Sequence, residues 1–179
     1  ATLNLSNLAT CADPTLCGIV FNGEAAGDLA GTSVALAGDI NDDGHDDLLI
    51  GAPGASPNSK AQAGRLYVIY GNDSGNLTIP RTIELSSVGA TTPGLVFNGE
   101  SAGDEAGKSV SIWGNDAILG APGADVTDEF GVPLPDAGYV YAIQGGTGTG
   151  HLIPNPANPA TIELSRVANG QSDQVGGVV

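Results

Sequence analysis

The chain has 179 residues, among them 28 Gly and 11 Pro, and its 20 acidic residues against 5 basic ones give a formal net charge of −15. Such a charge repels phosphate backbones and anionic lipid heads, which argues against nucleic-acid and membrane-surface partners. No apolar run approaches the roughly 20 residues that cross a bilayer, and apolar residues never keep a 3.6-residue spacing, so strands joined by turns are expected.

Residues 1–19 are expected to form a boundary strand and a cysteine loop. Thr2-Leu3-Asn4-Leu5-Ser6 opens this segment, and Cys11 and Cys17, the only cysteines, flank the turn-like Asp13-Pro14. A local disulfide is the expectation, because a zinc site would need two further ligands and neither His45 nor His151 has supporting spacing. The chain begins with Ala and contains no Met, which suits a mature secreted protein or an excised fragment.

Residues 20–95 form the first copy of an internal repeat and 96–179 the second. Val20-Phe21-Asn22-Gly23-Glu24-Ala25-Ala26-Gly27-Asp28 returns as Val96-Phe97-Asn98-Gly99-Glu100-Ser101-Ala102-Gly103-Asp104. Gly31, Ser33 and Val34 return as Gly107, Ser109 and Val110; Gly51-Ala52-Pro53-Gly54-Ala55 returns as Gly120-Ala121-Pro122-Gly123-Ala124. Short apolar runs at Ser33–Ala37, Asp47–Ile50 and Arg65–Tyr70, and again at Ser109–Trp113, Ala117–Leu119 and Tyr139–Ile143, predict three adjacent antiparallel strands per copy. The boundary element recurs at Thr82–Ser86 and Thr161–Ser165, and together with the run entering Phe21 or Phe97 it is expected to supply an outer fourth strand. The fold class expected is all-β: two tandem four-stranded antiparallel propeller-blade-like repeats, completed by neighbouring chains or flanking repeats.

Between the first two strands of copy one lies Asp39-Ile40-Asn41-Asp42-Asp43-Gly44-His45-Asp46-Asp47. Oxygen-bearing residues at alternate positions turn inward in a tight loop and suit a hard cation, which takes about 6 to 8 oxygens. The predicted Ca²⁺ ligands are the side chains of Asp39, Asn41, Asp43 and Asp47 and the backbone carbonyl of His45, with Gly44 allowing the sharp turn. The competing reading is an acidic turn closed by Asx hydrogen bonds. Copy two keeps only Gly114-Asn115-Asp116 at this place, so one Ca²⁺ per chain is expected. The acidic stretch Asp125, Asp128, Glu129 and Asp136 could bind a second cation weakly, but its irregular spacing and two prolines favour a solvated loop.

The order Gly-x-Ser-Val, Asp-rich loop, Asp47-Leu48-Leu49-Ile50-Gly51-Ala52-Pro53 and Gly64-Arg65-Leu66-Tyr67-Val68-Ile69-Tyr70-Gly71 resembles the FG-GAP repeat of integrin alpha-subunit propellers and of many bacterial extracellular proteins. Ala30-Gly31 and Ala106-Gly107 stand where that family has Phe-Gly. The resemblance implies an extracellular, secreted or cell-surface protein and a propeller face that contacts a protein or glycan. No catalytic residue is expected: neither His sits in a nucleophile–base motif, and neither Gly-x-Ser-Val segment completes a nucleophile elbow. The function expected is a calcium-binding structural or adhesion module that forms a homo-oligomer or filament by head-to-tail contacts through blade faces and terminal strands. The alternatives are a ligand-binding propeller segment and a non-catalytic part of a secreted hydrolase.

Overall fold

The computed structural model describes residues 18–36, 38–72, 82–146 and 161–164, so the Cys11–Cys17 pair and the first boundary strand lie outside the described residues. The strands are β1 (Val20–Asn22), β2 (Ser33–Leu36), β3 (Leu48–Ala52), β4 (Arg65–Ile69), β5 (Thr82–Glu84), β6 (Gly94–Asn98), β7 (Ser109–Trp113), β8 (Asp116–Ala121), β9 (Val126–Thr127), β10 (Pro133–Leu134), β11 (Tyr139–Ile143) and β12 (Thr161–Glu163). The fold is all-β, and among the described residues no helix is long and apolar enough to cross a membrane.

Two blades are visible. The first is a five-stranded sheet in the order β12-β6-β4-β3-β2, antiparallel except where β12 runs parallel to β6. The second blade shows three antiparallel strands in the order β11-β8-β7. The outer strand of the first blade is the Phe97 run itself, paired to β4 through Leu66↔Phe97 and Tyr67↔Val96. The boundary element is a separate strand laid parallel outside it, in the register Ile162↔Phe97. Each blade therefore lags the sequence repeat by one strand: the Val-Phe-Asn segment that opens a repeat finishes the sheet before it. β1 and β5 repeat this outer pair, with Phe21↔Ile83 in parallel.

Period-two alternation puts apolar side chains on both faces of the first blade. Leu49, Leu66, Val68, Leu95 and Phe97 face the second blade, where they meet Leu119, Tyr141 and Ile143. Ile50, Tyr67, Ile69 and Val96 point the other way, onto Leu85 and Val88 of the connection after β5, with Phe21 against them. A large apolar side chain buried this way contributes about 1.5 to 3 kcal/mol. Face packing between the sheets thus supplies most of the adhesion.

The repeat glycines set how closely the blades approach. Gly51 of the Gly-Ala-Pro signature lies so near Gly107 of the next repeat that a Cβ on it would come within 2.0 Å of the Gly107 carbonyl oxygen. Ser33 closes the same junction by donating its hydroxyl to Gly107 O at 2.7 Å. Gly107 has φ +84° and its own Cβ would meet Arg65 O at 2.3 Å. Gly107→Ala is expected to lower unfolding free energy by more than about 2 kcal/mol in a urea titration. Gly114→Ala, at φ +64° but with open space around it, is expected to cost only about 1 kcal/mol; equal losses would show that blade approach is not what Gly107 serves.

Candidate functional site

The Asp39–Asp47 loop joins β2 to β3 and is closed by its own side chains. Asp39 accepts the Asp43 N–H at 2.8 Å on one oxygen and the Gly44 N–H at 2.7 Å on the other. Asn41 Oδ1 also accepts the Asp43 N–H at 3.2 Å, and Asn41 Nδ2 donates to Asp43 at 2.8 Å. Asp43 in turn accepts the His45 N–H at 3.0 Å. Gly44, at φ +92°, and Asp42, at φ 56°, take the left-handed turns that the tight path demands.

Asp47, 1% exposed, ends the loop and works as a latch. It accepts the Ile40 N–H at 2.8 Å and the Gly71 N–H at 2.9 Å, tying the loop's start to the turn that follows β4. Burial raises its pKa; the two backbone hydrogen bonds oppose that rise, and the nearby negative charges of Asp43 and Asp39 add to it. The three carboxylates are thus close enough to repel one another. Tyr70 lies beside them: its hydroxyl is buried without a hydrogen-bond partner, and burial first, then Asp47 and Asp43, push its pKa up.

The predicted ligand residues Asp39, Asn41, Asp43, His45 and Asp47 are therefore all in one loop, with the Asx hydrogen-bond pattern present. Among the described residues no three Asp, Glu, His or Cys side chains meet the geometry of a metal cluster. The donor set nevertheless suits a hard cation, because an ionised carboxylate offers about four lone-pair sites, and Asp39, Asp43 and Asp47 each use two on the N–H donors named. Asp42 is turned out of the loop, where it accepts Asn115 Nδ2 of the second blade at 3.2 Å. The loop is bound to that blade again by Gly146 N–H donating to Ile40 O at 2.6 Å.

The structure also assigns work to repeat residues that were not singled out as site residues. Glu24 accepts the Tyr67 hydroxyl at 2.9 Å and pairs with Arg65; Glu100 accepts the Tyr141 hydroxyl at 2.9 Å. The Glu after each Asn-Gly thus reaches the third strand of the following blade. Asp28 and Asp104 close the same turns by accepting the N–H of Ala25 at 3.0 Å and of Ser101 at 2.8 Å. Asp116 accepts the Gly145 N–H at 3.1 Å as Asp47 accepts that of Gly71, although its blade lacks the acidic loop. Recurrence of these residues at matched places in both copies was the available signal.

The acidic stretch after β8 is a small hairpin, β9 paired with β10, in which Asp128 accepts the N–H groups of Phe130 and Val132 and Asp125 that of Asp136. Its tip displays Phe130, 82% exposed. A groove of about 590 Å³ lies between the β1–β5 pair and the end of β4, lined by Ile19, Phe21, Ile69, Tyr70, Ile83 and Pro93 among others.

Comparison with known proteins reaches the same repeat. Residues 30–69, from Ala30 to the end of β4, match the FG-GAP repeat family. The chain is 55% identical to the phosphatidylinositol-glycan-specific phospholipase D of Mus musculus over 42 residues, which is 24% of this chain and 5% of that protein. It is 57% identical to the Homo sapiens phospholipase of the same name over 37 residues, or 21% of this chain and 4% of that protein. Similarity to integrin alpha pat-2 of Caenorhabditis briggsae is broader on this side, 37% over 101 residues, covering 50% of this chain and 8% of the integrin. The chain thus spans under a tenth of the curated relatives cited here.

Because Asp116 accepts the Gly145 N–H where there is no acidic loop, Asp116→Ala is expected to destabilise the protein by about 1.5 to 3 kcal/mol, the usual worth of a hydrogen bond to a charged group. The loss is expected to be the same with calcium and with chelator. A calcium-dependent difference would tie Asp116 to cation binding instead.

Proposed function

We propose, from the premise that residues 30–69 form an FG-GAP repeat, that this chain is a non-catalytic, extracellular propeller segment whose first-blade loop holds one Ca²⁺ as a structural ion. Asp39, Asn41, Asp43, Asp47 and the carbonyl of His45 would hold it. The observation that carries this reading is the place of the loop. It connects β2 to β3, reaches the turn after β4 through Asp47 and Gly71, and touches the second blade through Asp42 and Ile40. A cation there relieves the repulsion among Asp39, Asp43 and Asp47 and stiffens the point where all these elements meet.

The ion's role is to favour the folded blade, and adhesion or assembly follows from the surfaces so held. The resemblance to extracellular FG-GAP proteins supports a location where calcium is about millimolar, which suits modules binding at about 10⁻⁴ to 10⁻³ M. A second reading, ligand recognition, is favoured by the β9–β10 hairpin. It inserts into the second blade an exposed Phe130 with Val132 and Leu134, 52% and 42% exposed, whereas the first blade has a short 3-10 turn at Pro57–Ser59. That pattern of apolar side chains on an acidic loop fits a protein or glycan partner. The phospholipase similarity, confined to 42 residues or fewer in the two matches cited, supports only that such a repeat can accompany an enzyme as a non-catalytic part.

Titration calorimetry is expected to find one Ca²⁺ site per chain, and excess chelator is expected to lower the melting temperature. At calcium near 100 times the dissociation constant the stabilisation is about 2.7 kcal/mol. Asp43→Asn is expected to weaken binding at least about tenfold while the chelated protein still folds. An unchanged melting curve with and without chelator would refute the structural ion.

A further inference from the structure

We propose that Tyr70 belongs to the cation site, its hydroxyl donating a hydrogen bond to the oxygen shell of the Ca²⁺ held by the Asp39–Asp47 loop. This rests on the calcium reading given above and adds to it a positioning residue from outside the loop.

Strand register brings Tyr70 to the loop. β3 and β4 pair antiparallel as far as Leu48↔Ile69, and one step further the same register sets Asp47 opposite Tyr70. Residues directly opposite on one face of an antiparallel pair have their Cβ atoms about 4.5 to 5.5 Å apart. Period-two alternation puts Tyr70 on the face of Leu66 and Val68, where it packs against the apolar core between the blades, to which Ile40 of the loop also belongs. The next residue fixes the approach. Gly71 donates its N–H to Asp47 at 2.9 Å, and a Cβ on it would come within 2.4 Å of the Asp46 carbonyl oxygen and 2.8 Å of the His45 Cβ. The end of β4 therefore lies against the last three residues of the loop.

The Tyr70 hydroxyl is buried and, among the described residues, is the buried side-chain polar atom that has no hydrogen-bond partner. Such a group costs free energy until an acceptor is supplied. Asp47 and Asp43 are the charges it feels, and after burial they are what raises its pKa. The phenol is thus a neutral donor beside two of the named ligand residues. A Ca²⁺ takes about 6 to 8 oxygens, more than one each from Asp39, Asn41, Asp43, His45 and Asp47 provides. Second carboxylate oxygens or waters complete the shell, and either is an acceptor for the phenol. A donor just outside the ligands holds such an oxygen in place and so strengthens binding.

The second repeat supplies the contrast. Gly64 to Gly71 corresponds to Gly138 to Gly145, which sets Gln144 at the place of Tyr70. Asp116 keeps with Gly145 the hydrogen bond that Asp47 makes with Gly71. Tyr141 likewise keeps the role of Tyr67, each phenol donating to a glutamate. Gln144, however, is exposed. The latch and the first phenol are present in both blades, whereas the second phenol accompanies the acidic loop alone. Closing the third strand does not require it, since the second blade closes with Gln144 in its place.

Tyr70→Phe removes the hydroxyl and keeps the ring. With excess chelator this variant is expected to melt at or above the wild-type temperature, because it deletes an unsatisfied buried group. Titration calorimetry of the full chain with CaCl₂ is expected to show affinity weakened by about fivefold or more, the worth of one hydrogen bond. Tyr67→Phe is the comparison, since its hydroxyl already donates to Glu24. Its loss is expected to lower the melting temperature equally with calcium and with chelator and to leave calcium affinity unchanged. Wild-type calcium binding that Tyr70→Phe retains in full overturns the role of the hydroxyl and leaves the calcium site standing. A wild-type chain that binds no calcium overturns both.

Discussion

Among the described residues, the first blade is finished by the repeat that follows it. The outer edge of β4 is met by Gly94–Asn98, the opening of the next repeat, and the chain then runs through Gly99 and Glu100 to the Tyr141 hydroxyl of the following blade. An unpaired edge exposes a row of N–H and C=O groups, so lending a strand forward satisfies one sheet and anchors the next in the same stretch of chain. Asn98 adds a side-chain lock by accepting Arg65 Nε at 2.9 Å. Stability in such an array is a sum of blade terms and nearest-neighbour terms, and here the neighbour term includes covalent continuity, a hydrogen-bonded ladder and a shared apolar face.

The strands were legible because period-two alternation and Gly-Pro punctuation mark them independently of what they pair with. Expected segments such as Ser109–Trp113 and Tyr139–Ile143 coincide with β7 and β11, while Ala117–Leu119 proved short of β8, which extends to Ala121. Ala121 belongs to the strand because it pairs with Tyr139 of β11. Neighbour order was less legible. Alternation tells which residues share a face, not which strand lies beside which, so the Phe97 run and the boundary element looked like two parts of one outer strand. The parallel β6–β12 pairing joins segments far apart in sequence, and nothing local encodes it.

The candidate site divides in the same way. Its residues, and the Asx hydrogen bonds open to them, were visible as a spacing of Asp, Asn and Gly, but the bond from the loop to the turn after β4 was not. Asp47 looked like one ligand among several, and it also accepts a backbone N–H on each of its two oxygens, from Ile40 and Gly71. The counterpart Asp116 keeps the same bond to the turn after its own blade's third strand. The last aspartate of the loop therefore has a task in blade closure that survives deletion of the loop. Tyr67 and Tyr141 repeat the lesson on the opposite side: both phenols are held protonated by burial, so each donates to a glutamate of the preceding loop and neither acts as a titrating group near neutrality.

The loss of the acidic loop from the second blade has a physical reason in the first. Gly114 and Asn115 lie directly against the first-blade loop: a Cβ on Gly38 would come within 2.7 Å of Gly114 O, and Asn115 donates to Asp42. A second copy of Asp-x-Asn-x-Asp at that place would set new carboxylates against Asp42, which already shares its loop with Asp39, Asp43, Asp46 and Asp47. Like charges a few ångströms apart near a surface cost on the order of several kcal/mol before any cation arrives. A short turn carrying a neutral amide instead gives Asp42 a donor and lets the blades close. The two repeats are unequal, on this view, because adjacent acidic loops compete for one interface, and the chain keeps the charge on one side of it and the hydrogen-bond donor on the other.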